Sequence, residues 1–266
     1  MIALALALIT PSFAGMSTTH TLGKKVDQVV LKVVEGDIRV RVDDTLDRTE
    51  IETIDYRPGH TCGFDISEAK GRAAIAFGPK ALEQASDCRM DFTVVLKPGV
   101  RFSLELGKGR TQITGIATDL DISIGEGDVE LTDVNAVRLA VREGDVSLRK
   151  VTGPMDIDLG KGRLHGTPVG VLAASVGEGH IELHGLGAQV TAETQIGNIL
   201  LGYQAVPDGL VTLHAGMGNI VVDLPNGTGV LPQITSASGG TTECELPTGS
   251  DVEVIAVAGM GSVRLH

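Results

Sequence analysis

Four carboxylates stand at matching positions of two neighbouring sequence repeats, and this spacing could support metal binding. The segments GEGDVEL and REGDVSL supply them, and they are Glu126, Asp128, Glu143 and Asp145. If each repeat forms one layer of a stack of strands, equivalent side chains lie about 5 Å apart. Carboxylate oxygens at that distance are suitable ligands for Ca²⁺. A solvated ladder of paired charges is the alternative, because the flanking repeats carry cations, which are Lys108, Arg110, Lys161 and Arg163.

A second cluster contains histidine. Its members fall in two neighbouring repeats and are His165, His180, Glu182 and His184. Imidazole and carboxylate groups that approach one another can bind a transition metal. The alternative is that these side chains lie solvated on the outer face of a sheet, which is the ordinary place for polar residues.

Two further acids could act on a sugar. Asp156 and Asp158 alternate with apolar residues, so both would face outward on one strand, near Arg138 of the preceding repeat. Paired carboxylates supply the acid and base of most glycosidases. The chain contains no Trp and only 3% aromatic residues, which leaves little to stack on a sugar ring. A polysaccharide-acting enzyme is therefore the alternative function.

The elements that position these residues are repeats built on the phrase GxG. The second glycines fall at positions 109, 127, 144, 162, 179, 197 and 218, so the steps are 18, 17, 18, 17, 18 and 21 residues. In LDISIGEGDVELTDV, residues 120–134, apolar residues alternate with polar ones on both sides of the glycines. Each unit therefore reads as two short strands with one apolar face, joined at GxG. Such a unit cannot bury its apolar face alone, so like units must stack.

This pattern predicts an all-β fold: a single-stranded parallel β-helix, or β-solenoid, of roughly ten coils with 17 to 22 residues per coil. A meander of antiparallel hairpins would also alternate, but the short, regular corners favour the parallel solenoid. We expect one solenoid domain over residues 15–266, less regular over 25–106 and with regular GxG coils over 107–266. The glycines at the corners serve the turn, because glycine accepts positive φ angles.

The N-terminal residues, the cysteines and the charge bear on compartment and partners. The apolar run MIALALALITPSFA, residues 1–14, predicts a signal peptide and is too short to span a bilayer. Cys62 and Cys88 flank one irregular segment and could pair in an oxidising compartment, whereas Cys244 is predicted to point inward as a buried apolar residue. The net charge of −12 argues against nucleic acid as a partner.

The repeats resemble the bacterial putative-adhesin β-helix domain family. The resemblance rests on the glycine-punctuated repeats and on DFTVVLKPGVRFSLEL, residues 91–106, which reads as strand, proline turn and strand. It covers about residues 25–266 and is best over 91–224, ending in VVDLP. Members usually carry SGD or SGN at the corner, whereas here the first position is mostly Gly, with Glu or Lys between the glycines. The resemblance implies an envelope or surface β-helix and supplies no catalytic residue.

We therefore expect a non-enzymatic, secreted or periplasmic solenoid that needs no cofactor. It would present a repetitive surface to a protein or a glycan, or serve as a structural scaffold in the envelope. A cleft lined by inserted loops would favour the enzyme, whereas smooth faces would favour the non-enzymatic solenoid. The regular repeats between residues 107 and 200 leave little room for such loops.

Overall fold

The computed structural model describes residues 16–55, 62–79 and 88–266, and within these ranges the regular elements are all β-strands. The predicted signal peptide, residues 1–14, lies outside the described residues. Among the described residues there is no helix with the length and apolar character needed to cross a bilayer.

The first eight strands precede the regular repeats. They are β1 (Met16–Thr21), β2 (Gln28–Glu35), β3 (Ile38–Val42), β4 (Glu50–Asp55), β5 (Cys62–Ala69), β6 (Arg72–Pro79), β7 (Met90–Leu96) and β8 (Arg101–Lys108). The regular repeats then give β9 (Thr111–Thr114), β10 (Leu120–Glu126), β11 (Val129–Thr132), β12 (Val137–Glu143), β13 (Val146–Arg149), β14 (Met155–Lys161), β15 (Leu164–Thr167), β16 (Leu172–Glu178) and β17 (Ile181–Leu186). The last strands are β18 (Val190–Ile196), β19 (Ile199–Tyr203), β20 (Val211–Met217), β21 (Ile220–Asp223), β22 (Val230–Ser238), β23 (Thr242–Cys244), β24 (Val252–Met260) and β25 (Val263–Leu265).

These strands form two long sheets, one of thirteen strands and one of twelve. From β8 to β21 the even-numbered strands lie in the twelve-stranded sheet and the odd-numbered strands in the thirteen-stranded sheet. The GxG corner between each pair of strands carries the chain from one sheet to the other. The pairing is parallel throughout this part, whereas β1 with β4, β4 with β7 and β5 with β6 pair antiparallel at the N-terminal end. The architecture is that of a β-solenoid.

The apolar faces of both sheets meet in one continuous core. On β10, Leu120, Ile122 and Ile124 are at most 3% exposed, and each stands in register with an apolar residue of β12. The two-residue alternation therefore sets both which residues are buried and how one layer sits on the next. A layer that slipped by one residue would turn its polar face inward.

The corner glycines differ in what they tolerate. Gly127 has a φ of 143°, and a Cβ added to it would lie 1.8 Å from the carbonyl oxygen of Gly109 in the adjacent layer. The same obstruction recurs at the second glycine of every other regular repeat, with distances of 1.6 to 2.1 Å. A Cβ on the first glycine, Gly125, would lie 2.5 Å from the oxygen of Gly107, and other repeats carry Arg142 or Gln195 at that position. The second glycine is thus a strict requirement of stacking, and the first is not.

The layers do not stack in chain order at the two ends. At the C-terminal end β24 pairs with both β20 and β22, so the later strand lies between the two earlier ones. At the N-terminal end β2 lies between β6 and β8. The residues of β22 and β24 explain why β24 lies inside β22 at the C-terminal end. The inward residues of β24 are buried Val and Ala, whereas β22 contains Pro232, which has no N–H to donate and suits an edge strand.

The three cysteines form one disulfide and leave one free thiol. Cys62 and Cys88 are bonded, with an S–S distance of 2.06 Å, at the irregular N-terminal end. The prediction that Cys244 is buried is wrong, because its thiol is exposed. Cys244 is in register with Leu265, which is fully buried, but β23 is the last strand of its sheet and all three of its residues are exposed. An inward position is buried only where a further layer covers it.

The glycine column can be tested with a matched pair of substitutions. Gly127→Ala should lower the free energy of unfolding by about 3 kcal/mol, because it combines a strained φ with a backbone clash. Gly125→Ala should cost about 1 kcal/mol or less, since other repeats accept a side chain there. Urea unfolding followed by far-ultraviolet circular dichroism measures both. Equal losses in the two variants would contradict the distinction between the glycines.

The cysteine assignment predicts a labelling pattern. Alkylation of the native protein without reduction should modify Cys244 and leave Cys62 and Cys88 unlabelled, which peptide mass spectrometry reads directly. The Cys244→Ser variant is the control and should take up no label until it is reduced. Label on Cys62 or Cys88 in the unreduced protein would refute the disulfide.

Candidate functional site

The side chains that follow the second glycine form hydrogen bonds along the stack. Asp37 Oδ1 accepts the backbone N–H of Arg110 at 2.9 Å, although the two residues lie far apart in the chain. Asp128 Oδ1 accepts the N–H of Asp145 at 3.1 Å, and Asp145 Oδ1 accepts that of Arg163 at 2.8 Å. Each acceptor therefore binds the equivalent residue of the adjacent layer. We call this row of contacts the acceptor ladder.

The acceptor ladder continues toward the C-terminal end with neutral side chains. His180 Nδ1 accepts the N–H of Asn198 at 3.0 Å, so the neutral ring carries its proton on Nε2. Asn198 Oδ1 accepts the N–H of Asn219 at 2.8 Å, and Asn219 Oδ1 accepts that of Ser262 at 2.9 Å. Asp, Asn and His all offer an acceptor atom at this position, whereas arginine offers none. The ladder explains why these residue types recur after the second glycine.

Three of the four carboxylates proposed for calcium already have other partners. Asp128 and Asp145 belong to the acceptor ladder, and Glu126 Oε1 binds Lys108 Nζ at 3.0 Å. Glu143 stands in register between Glu126 and Lys161. In the part of the chain that the structure describes, no group of three or more His, Cys, Asp or Glu side chains is arranged to hold a metal ion. The stack brings the four acids into neighbouring layers but not into a common cage.

The histidine cluster is divided between two surfaces. His184 Nε2 lies 3.4 Å from Glu182 Oε1, and His165 is in register with Glu182 on the outer face of the thirteen-stranded sheet. These residues line a shallow depression of about 210 Å³. His180 lies at the corner instead, where its ring is part of the acceptor ladder. The four residues therefore do not converge on one point.

The residues between the two glycines change character along the stack. Toward the N-terminal end they are charged, as with Lys108 and Glu126. Ile196, Met217 and Met260 occupy the same register position in three successive layers and are 46%, 41% and 51% exposed. Sequence analysis missed this apolar stripe, although following the GxG column beyond Gly177 would have found it.

The outer face of the twelve-stranded sheet carries the acids of the enzymatic alternative. Asp121, Arg138 and Asp156 stand in register on three neighbouring strands and are exposed. With Arg101 and Asp119 they line an open depression of about 480 Å³. Ser103 lines the same depression. We call this depression the Arg138 groove.

Asp156 and Asp158 do not share one depression. Asp156 lines the Arg138 groove, whereas Asp158 lines a separate hollow of about 270 Å³ with Arg142. Both side chains are exposed on β14, as the alternation predicts. Acid and base work on one glycosidic bond needs both carboxylates on the same sugar. The arrangement suits binding of polar groups along the face better than catalysis at one point.

The groups with displaced pKa values lie elsewhere. Hydrogen bonds from Thr45 lower the pKa of Asp43 in the turn after β3, and a hydrogen bond from Lys24 lowers that of Asp47. Burial raises the pKa of Tyr203 on β19, whose hydroxyl has no hydrogen-bond partner. None of the three residues lies on the outer face of the twelve-stranded sheet. These shifts therefore do not mark a functional site.

Comparison with known proteins gives distant likenesses of the whole chain. No protein-family model and no curated protein sequence matches it. A putative cell adhesion protein from Clostridium sporogenes is 10% identical with a TM-score of 0.33, and the match covers 94% of this chain and 98% of the other. A putative adhesin from Bacteroides fragilis is 10% identical with a TM-score of 0.43 and coverages of 96% and 99%. Values of this size establish neither a family nor a function.

The acceptor ladder predicts how Asp145 contributes to stability. Asp145→Ala should lower the free energy of unfolding by about 1 kcal/mol, because the N–H of Arg163 loses its acceptor. Asp145→Asn should be nearly neutral, since Asn fills this role at positions 198 and 219. Glu143→Ala removes a charge from the same corner without removing a contact of the ladder, and serves as the control. A loss in Glu143→Ala equal to that in Asp145→Ala would show that charge alone matters.

Proposed function

We propose that this protein is a non-enzymatic, adhesin-like β-solenoid of the cell envelope or the secreted fraction, which binds glycan through the Arg138 groove. The groove is open to solvent and is lined by alternating acids and arginines. Glycan hydroxyls both donate and accept hydrogen bonds, so they can pair with carboxylates and guanidinium groups alike. This alternation is the observation that carries the proposal.

The charged groups of the groove are available for a ligand. Among the described residues, neither Arg101 nor Arg138 takes part in an ion pair. Asp121 and Asp156 flank Arg138 in register and are exposed. By contrast, Arg149 on the outer face of the thirteen-stranded sheet lies 3.4 Å from Glu130. Arg138 and Arg149 therefore differ in what they can offer to a partner.

The location in the envelope or outside the cell is supported by the disulfide between Cys62 and Cys88. Such bonds persist in oxidising compartments and are rare in the reducing cytosol. The apolar run of residues 1–14 points the same way. A stacked solenoid also suits exposure outside the cell, because its repetitive faces offer an extended surface for contact.

Glycan binding predicts a specific loss in one variant. On an array of acidic and neutral polysaccharides the parent protein should bind a subset, and Arg138→Ala should weaken binding about tenfold, or 1.4 kcal/mol. Arg149→Ala, on the opposite outer face, is the matched control and should bind as the parent does. Circular dichroism of both variants verifies that they are folded.

Three outcomes would contradict this function. If no polysaccharide is retained, or if Arg149→Ala weakens binding as much as Arg138→Ala, the Arg138 groove is not the binding surface. Release of shortened sugars from a retained polysaccharide would instead favour the alternative, an enzyme that uses Asp156 and Asp158. Asp158→Asn then distinguishes the two, since it should abolish cleavage and leave binding in the groove intact.

A further inference from the structure

The turn between β21 and β22 carries the dipeptide Asn226-Gly227 in an exposed position. The N–H of Thr228 donates to the carbonyl oxygen of Pro225 at 3.1 Å, and the Thr228 hydroxyl donates to the same oxygen at 2.6 Å. Gly227 has a φ of 85°, which the turn requires and glycine supplies. Asn226 and Gly227 are exposed, whereas Thr228 is 3% exposed. Two hydrogen bonds from Thr228 to Pro225 thus fix the turn, while Asn226 and Gly227 face solvent.

We infer that Asn226 is a site of spontaneous deamidation in the folded protein. The backbone nitrogen of Gly227 attacks the side-chain carbonyl carbon of Asn226 and forms a five-membered succinimide. The bond from that carbon to the amide nitrogen breaks, and ammonia leaves with the proton from Gly227. Water then opens the ring at either carbonyl and gives aspartate or isoaspartate at position 226. No oxidant, cofactor or partner is needed.

The attack at Asn226 meets little steric resistance. The attacking nitrogen belongs to a glycine, so no side chain shields it. Moreover, nothing lies within 4 Å of the point where a Cβ of Gly227 would stand. The exposed side-chain amide of Asn226 forms no hydrogen bond with the described residues, so it is also free to rotate toward the attacking nitrogen. The local structure therefore leaves this reaction open.

The other asparagines of the chain provide an internal contrast. The sequence contains three more, Asn135, Asn198 and Asn219. Asn198 and Asn219 each precede an isoleucine, whose branched side chain obstructs attack, and their side-chain oxygens are bound in the acceptor ladder. Asn135 precedes an alanine, which still carries a Cβ. Among the four, Asn226 alone combines exposure with a following glycine.

The position of this turn gives the reaction a structural consequence. Because β24 lies between β20 and β22, the segment around Asn226 must pass one layer of the stack before β22 begins. The segment is fixed on both sides, since Leu224 N–H donates to His266 O at 2.9 Å and Gly229 N–H donates to Asp251 Oδ2 at 2.7 Å. Isoaspartate adds one methylene to the backbone between these anchors. We expect the outermost layer, β22 and β23, to loosen as the product accumulates.

The test is a timed incubation of the purified protein at mildly alkaline pH, followed by fragment-ion mass spectrometry of all four asparagines. Asn226 should gain the mass difference between a carboxylate and an amide roughly tenfold faster than Asn198 or Asn219, because glycine follows it. Chromatography should separate aspartate and isoaspartate forms of the Asn226 peptide. Asn226→Gln is the matched control, since its longer side chain does not readily close the ring.

The outcome decides the inference in either direction. Conversion at Asn226 in the folded parent, and its loss in Asn226→Gln, would support it. An unchanged Asn226, or conversion no faster than at Asn198 under the same conditions, would overturn it. Hydrogen exchange of β22 before and after incubation follows the consequence: faster exchange there, with β16 unchanged, is expected once isoaspartate has formed.

Discussion

The close approach of one backbone to the next at the GxG corner is the constraint on which the rest of this structure depends. At Gly127 the space for a Cβ is already occupied by the carbonyl oxygen of Gly109, and Gly144 in turn stands over Gly127. Every layer that makes this corner therefore needs a glycine with a positive φ. Because the corner fixes where each strand begins, it also fixes the register of both sheets and the alignment of the buried residues.

The same constraint explains the polar residues beside the glycines. A corner turned this tightly directs a backbone N–H along the stack, and an exposed N–H gains from a nearby acceptor. Asp145 and Asn198 supply that acceptor to the adjacent layer, as the acceptor ladder shows. Acids at this position therefore serve as acceptors for the backbone N–H groups of the adjacent layer. The cluster that resembles a calcium site in the sequence is thus partly accounted for by stacking, since Asp128 and Asp145 share this role.

The sequence contains enough to predict the regular part of the fold but not its ends. Alternation and period identify the strands from β8 to β21, because each of these layers has a similar layer on both sides. At the ends that symmetry is lost, and pairing depends on which strand can serve as an edge. Pro232 makes β22 suitable as the edge strand, and the buried Val254 makes β24 suitable as an interior strand of the sheet. This order holds although β22 precedes β24 in the chain. Cys244 is exposed for the same reason, since its inward register position has no layer above it.

The candidate site is harder to predict, because neighbours in different layers set its chemistry. Sequence spacing places Asp156 and Asp158 on one face but does not reveal that they line different depressions. The stack also determines which charged side chains are already paired and which are free to contact a ligand. At the corner, Glu126 is paired with Lys108, and Asp145 serves a backbone N–H. On the outer face of the twelve-stranded sheet, Arg138 has no ion-pair partner among the described residues. A ligand exchanges its own hydration for protein contacts, so it gains most where the protein's groups are not already paired. Arg138 is therefore a better contact for a ligand than Glu126 or Asp145, whose carboxylates already have partners.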